Sequence, residues 1–312
     1  MKKISIVLLG IATAFSASAE EAGNVLVFTS ILPQEYFVER IGGKRVEVQA
    51  LVRPGSSPAT YEPTPRQMAA LSQAKLFFRI GVPFENAFLP TLEETAEELR
   101  IVDTRKGIAL RRMKTHNHHD KEFEKAEYAG EAGHNLHTAE NEQHHNGGGT
   151  DPHIWLSPRL VKVQARTIAG ALIETDPAGR AIYEKNLAAF LKDLDALDAR
   201  LLEALAPVRG KTFLVFHPAW GYFADAYGLE QEPIEVEGKD PGGRQIARMI
   251  EMAKDQSVRI IFVQPQFDMG AAGRIAEAIG GAVVPIDPLA GDYIDNLKQV
   301  AVTVLEALQE QE

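Results

Sequence analysis

The chain has 312 residues, 45% of them hydrophobic, a formal charge of −10 and no cysteine. The acidic balance argues against a nucleic-acid partner and modestly favours cations. Without disulfides the fold rests on its own apolar core, which a chain this long and this hydrophobic can build.

Residues 1–19 read as a cleaved export signal. Lys2 and Lys3 precede a mostly apolar run from Ile4 to Phe15, and Ala17-Ser18-Ala19 is a small-residue cleavage site ahead of Glu20. The run is too short to span a bilayer as a stable helix, and no later segment is long enough. The expectation is an exported, soluble, periplasmic chain starting at Glu20, with no cysteine after the signal to carry a lipid. Losing Lys2 and Lys3 makes its formal charge two units more negative than −10.

Asn24–Ser30 reads as a buried strand, followed by a helix that Pro33 opens and Gly42-Gly43 stops. Arg45–Val52 alternates like a strand and ends in the turn "RPGSSPATYEPTP". Thr64-Pro65 caps a helix over Arg66–Ala74; strand "KLFFRIG", a helix near Glu85–Glu98 and strand "LRIVDT" follow. Strands alternating with helices predict a parallel sheet covered on both faces. From Arg111 to Thr150 the periodicity is lost in a polar, His-rich stretch, read as a mobile loop. A helix from Pro158 to about Glu174 precedes a break at Asp176-Pro177. Ala178 to about Pro207 is then one long amphipathic helix, with Ile182, Leu187, Leu191, Leu194, Leu197, Leu201 and Leu205 on its apolar side. Strands "KTFLVFH", "RIIFVQ" and "AVVPID" alternate with helices near Pro218–Tyr227, Gly243–Asp255 and Gly270–Ile279, and Asn296–Gln311 closes the chain as a helix. The predicted class is α/β, two lobes each with a mostly parallel sheet. An N-terminal lobe (24–177, including loop 111–150) and a C-terminal lobe (210–312) are joined by a rigid linking helix (178–209).

Ligands of open α/β sheets gather at the carboxyl ends of the strands. The turn after Arg45–Val52, His217 after "KTFLVF" and Asp287 after "AVVPI" occupy such ends, and His153 lies just before a helix at the edge of the first lobe. Imidazole and carboxylate are ordinary zinc ligands and come from distant positions, so His153, His217 and Asp287 would place a metal between the lobes. Each also has a plainer reading. A histidine after a buried strand is often a hydrogen-bonded packing residue, and Asp287-Pro288 is also a turn former.

Four phrases weigh on the metal side: "DPHIWLSPR" (Asp151–Arg159), "FHPAWGYFADAYGL" (Phe216–Leu229), "YEPTPRQMAALSQAKLFFRIG" (Tyr61–Gly81) and "VVPIDPLAGDYIDNL" (Val283–Leu297). Taken in chain order they resemble the periplasmic metal-binding proteins of zinc and manganese ABC importers, over nearly the whole mature chain. The likeness is greatest to the zinc branch with its His-rich loop. The resemblance implies that His153, His217 and Asp287 are metal ligands. It implies zinc as the cargo, with manganese or another divalent ion as the alternative, an ABC membrane permease as partner, a monomer and no catalysis. The same comparison implies cleft or second-layer places for Tyr61, Glu62, Trp220 and Gln264.

The chain departs from that family at one ligand. Where the family usually reads "PHTYEPTP", this sequence has Pro58-Ala59-Thr60-Tyr61-Glu62-Pro63-Thr64-Pro65, so Ala59 replaces the first metal histidine. His116, His118, His119, His134, His137, His144 and His145 read as a tethered surface for gathering zinc, one of which would supply the missing ligand if it enters the cleft. Two other functions stay open at this point. A zinc hydrolase would use an open coordination position, but the sequence has no H-E-x-x-H element, evident general base or nucleophile motif. A binding protein with changed cargo, a chelated metal or another small ligand, would use the space left at Ala59.

Overall fold

The first sheet contains β1 (Val25–Thr29), β2 (Val46–Ala50), β3 (Leu76–Arg79) and β4 (Arg100–Asp103), in the order β2-β1-β3-β4 with every neighbour parallel. The second contains β5 (Thr212–Val215), β6 (Glu230–Pro233), β7 (Ile260–Val263) and β8 (Ala282–Pro285), in the equivalent order β6-β5-β7-β8. This is a computed structural model, and it describes residues 24–113, 149–235, 242–255, 258–267 and 269–309. The predicted export signal and the seven histidines from His116 to His145 lie outside the described residues.

Helices connect the strands as parallel pairing requires. In the first lobe they are α1 (Leu32–Gly42), α2 (Pro65–Leu71) and α3 (Glu85–Thr95). Thr64 starts α2 with a reciprocal capping box: its hydroxyl accepts from the Gln67 backbone while the Gln67 side chain accepts from the Thr64 backbone. After α4 (Pro158–Thr175), a turn at Pro177–Gly179 leads into α5 (Arg180–Leu205), 26 residues and therefore about 39 Å long. Its start is anchored by Asp176, which accepts from Arg45 Nε at 2.7 Å and Tyr183 Oη at 2.7 Å.

The buried stripe of α5 is Tyr183, Phe190, Leu194, Leu197, Leu201 and Leu205. Ile182, placed on the apolar side by the sequence, is 44% exposed, one residue out of phase with the true stripe. Aromatic residues carry the first half of the contact: Phe190 packs on Phe37 of α1 at 5.8 Å. Burying one such side chain stabilises the fold by about 1.5–3 kcal/mol.

The second lobe adds α6 (Gly221–Tyr227), α7 (Gly243–Asp255), α8 (Gly270–Ile279) and α9 (Tyr293–Gln309). Helix α9 runs along α5 and places Tyr293 edge-on against Phe37 of the first lobe at 4.9 Å. One apolar cluster therefore holds residues of both sheets, Val27 and Phe77 with Val215 and Phe262. Strand β6 is absent from the sequence reading because "EQEP" has no apolar alternation. It lies at a sheet edge, where Pro233 is tolerated. Among the described residues no helix is long and apolar enough to cross a membrane.

Candidate metal centre

In each sheet the chain order reverses between two central strands, β1 and β3 or β5 and β7, and loops leaving their carboxyl ends diverge to open a crevice. Gly81, Val82 and Pro83 after β3 and Ser57 to Ala59 after β2 line a cavity of about 260 Å³ from the first lobe. His217 after β5, Gln266 and Phe267 after β7, and Pro288 and Leu289 after β8 line it from the second. Met113, Thr150, Pro152, His153 and Trp155 contribute to the wall from the segment between β4 and α4. The lining beside Gly81 is fixed by Glu85, fully buried, which accepts from Ser30 Oγ at 2.6 Å, the Ile80 amide at 2.8 Å and the Gly81 amide at 2.9 Å.

His217 and His153 meet here. Their Nε2 atoms lie 3.3 Å apart, and their rings cross at 74° with centroids 5.2 Å apart. Each ring turns its other nitrogen to a buried carboxylate: His153 Nδ1 is 2.7 Å from Asp151 Oδ1, and His217 Nδ1 is 2.6 Å from Glu235 Oε1. Asp151 sits two residues ahead of His153 and also accepts from its backbone N–H at 3.0 Å, an Asx-type turn closed around Pro152. Glu235 follows β6 as His217 follows β5. Gln264 grips the His217 main chain from both sides, donating to its carbonyl at 2.8 Å and accepting from its amide at 3.2 Å.

The ends of the 111–150 stretch brace this arrangement. The Arg111 carbonyl accepts from the Asp151 amide at 2.9 Å, and Arg112 forms an antiparallel bridge with Thr150. Tyr222 of α6 joins both strands of that base: its hydroxyl accepts from the Arg111 amide at 2.9 Å and donates to the Asp151 carbonyl at 3.1 Å.

The walls are mostly apolar, and Phe267 stacks on His217 at 5.1 Å while Trp155 lies 5.1 Å from His153. Burial pushes the His153 imidazole below its ordinary value of 6.5, outweighing the hydrogen bond to Asp151 that acts in the opposite sense. A neutral imidazole is the form that donates a lone pair to a cation.

Asp287 does not join the pair in this conformation. Its Oδ1 accepts from Gln266 Nε2 at 2.9 Å and from the Leu289 amide at 2.9 Å, while its neighbours Pro288 and Leu289 form the cavity wall. Among the described residues no three His, Asp or Glu side chains converge closely enough to hold a metal ion. Ala59 lines the cavity wall. Tyr61 packs edge-on against Phe84 at 5.5 Å and Glu62 is exposed; neither lines the cavity. Trp220, placed at the cleft wall by the sequence reading, is instead fully buried beside Phe223, because its ring packs into the core under α6. The residues missed from sequence are Asp151 and Glu235. The first had a signal, the Asp-Pro-His turn; the second had none, lying after an unrecognised strand.

Residues 27–307 match the family model described as ZnuA, zinc-uptake complex component A, periplasmic. The chain belongs to the ZnuA family. It is 26% identical over 297 residues to the high-affinity zinc uptake system protein ZnuA of Bacillus subtilis (strain 168), covering 90% of this chain and 87% of that protein. A crystal structure of ZnuA superposes with a TM-score of 0.78 at 39% identity, covering 91% of this chain and 99% of the other. A ZnuA deletion mutant with zinc bound gives a TM-score of 0.77 at 39% identity, with 91% and 98% covered. The two-lobed architecture with its long connecting helix is therefore that of ZnuA structures.

Proposed function

We propose that this chain captures a divalent cation, zinc first, between His153 and His217 and delivers it to the membrane permease of an ABC uptake system. The 3.3 Å separation of the two Nε2 atoms carries the reading. Two imidazole nitrogens bound at about 2.0–2.1 Å to one tetrahedral zinc lie about 3.3–3.4 Å apart, so the pair already spans one edge of the coordination tetrahedron. Asp287 is the third ligand, reached when its carboxylate leaves Gln266. With Ala59 at the remaining position, water or a histidine from the 114–148 stretch completes the set.

The protein works in the periplasm as a soluble monomer after loss of its export signal. It transports and does not catalyse, in keeping with a family of uptake components. Imidazole ligands favour zinc over manganese. Neither the family nor the zinc-bound neighbour favours a different cargo. The histidines between His116 and His145 gather zinc near the cleft.

Zinc titration of metal-free protein by calorimetry tests this, using chains lacking residues 114–148 so that only the cleft is read. His153→Ala and His217→Ala are each expected to weaken the tight site at least about tenfold while keeping a cooperative melt. A tight site unchanged in both variants would overturn the proposal.

A further inference from the structure

We propose that Asp151 and Glu235 are positioning residues that lock both imidazoles as Nδ1–H tautomers and so keep two Nε2 lone pairs open to the cation, an inference that rests on the cation site proposed above. An ionised carboxylate offers only acceptors, so a ring nitrogen 2.7 Å from Asp151 Oδ1 or 2.6 Å from Glu235 Oε1 must carry the proton. The lone pair of each neutral ring is then on Nε2, and the two lone pairs converge at 3.3 Å.

That convergence is unfavourable until something positive arrives. Left to themselves, two imidazoles at this distance would relieve it by moving one proton to Nε2 and hydrogen-bonding to each other. Such a bond would close the site, since an incoming metal would have to expel the proton. The carboxylates oppose this collapse by giving each proton a better acceptor on the far side of its ring. Both are nearly dry: their side chains are 1% and 4% exposed. Asp151 is further fixed by the His153 amide on Oδ1 and by Arg111, whose Nε lies 3.7 Å from Oδ2. The Glu235 main chain is anchored beside the pair, its amide donating to the Phe216 carbonyl at 3.0 Å, one residue before His217. Their two negative charges also offset the charge of a divalent ion held by two neutral rings.

The test begins with the metal-free full-length protein labelled with 15N-histidine, at neutral pH. Long-range proton–nitrogen correlation spectra, with His153 and His217 assigned by loss of signal in His→Gln variants, should show the proton on Nδ1 in both rings. A proton on Nε2 of either ring would overturn the proposal, and this spectrum decides even where a variant fails to fold. Zinc titrations of Asp151→Asn and Glu235→Gln should then show affinity reduced about 10–100-fold, with part of it regained in Asp151→Glu and Glu235→Asp. If both neutral variants keep their affinity within about twofold while His153→Ala and His217→Ala lose it, the cation site stands and the positioning role is wrong. If the histidine variants also keep it, the cation site itself is wrong and the inference falls with it.

Discussion

The register that pairs Val215 of β5 with Pro233 of β6 continues past both strand ends, so that His217 and Glu235, each two residues further on, meet through a 2.6 Å side-chain hydrogen bond. A polar edge strand thus sets the orientation of a cleft histidine. On the other side of the cavity the Asp151–His153 turn does the same work locally, without a sheet. The consequences can be measured at residues around the pair.

Ala59 lines the cavity from the first lobe, after β2, as His217 lines it from the second, after β5. Ala59→His is expected to complete a set of three histidines and one aspartate and raise zinc affinity at least about tenfold. It should be made in the full chain and in a chain lacking 114–148, which spares the paired base at Arg112 and Thr150. A gain confined to the shortened chain means that a histidine of the removed stretch normally supplies the ligand; a gain in both means that water does. No gain in either folded protein would contradict the proposed geometry.

Gln266 competes for Asp287. A hydrogen bond to a charged group is worth about 1.5–3 kcal/mol, and the carboxylate must give up the one from Gln266 to reach a metal. Gln266→Ala should therefore raise zinc affinity by about tenfold or more, and Asp287→Asn should lower it. Titrations in which both variants match wild type would remove Asp287 from the ligand set.

Gly221 is packed so tightly that an added Cβ would overlap the Arg111 guanidinium and come within 3.0 Å of Asp151 Oδ2. Because the overlap is with the flexible end of Arg111, Gly221→Ala should push Arg111 off Asp151 at a cost of about 1 kcal/mol and loosen His153. Thermal melts and zinc titrations should both shift; an unchanged melting temperature would contradict the close packing.

Acid should weaken the metal-free protein through His153. Burial lowers its folded pKa below the ordinary 6.5, so the unfolded ring takes up a proton before the folded one does. That contribution is complete above about 6.5 and is lost as pH falls from there through the lower folded pKa. Melting temperatures measured from about pH 7 down to about pH 5 should fall more steeply in wild type than in His153→Gln. Equal slopes would contradict the assignment.

Much of this architecture was legible because burial leaves a periodic record. Apolar runs such as "FLVF" and "IIFV" mark central strands, and Thr64 with Gln67 announces the start of α2. His153 and His217 stood out by their places at element ends. What sequence could not supply were relationships made in space. β6 is polar because it is an edge, so Glu235 had no visible context. The apolar periodicity of α5 places Ile182 one residue off the buried stripe because leucines crowd both flanks, while Tyr183 and Phe190 make the buried contacts. Asp287 follows the end of β8, but hydrogen bonding to Gln266, not chain position, sets where its carboxylate rests.

The most direct measurement is anomalous diffraction at the zinc edge from crystals of the zinc-loaded protein. One strong peak is expected in the cleft, about 2.0–2.1 Å from Nε2 of both His153 and His217, with their Nδ1 atoms still facing Asp151 and Glu235. A fully occupied zinc elsewhere, with the two histidines left as they stand at 3.3 Å and no metal between them, would contradict it.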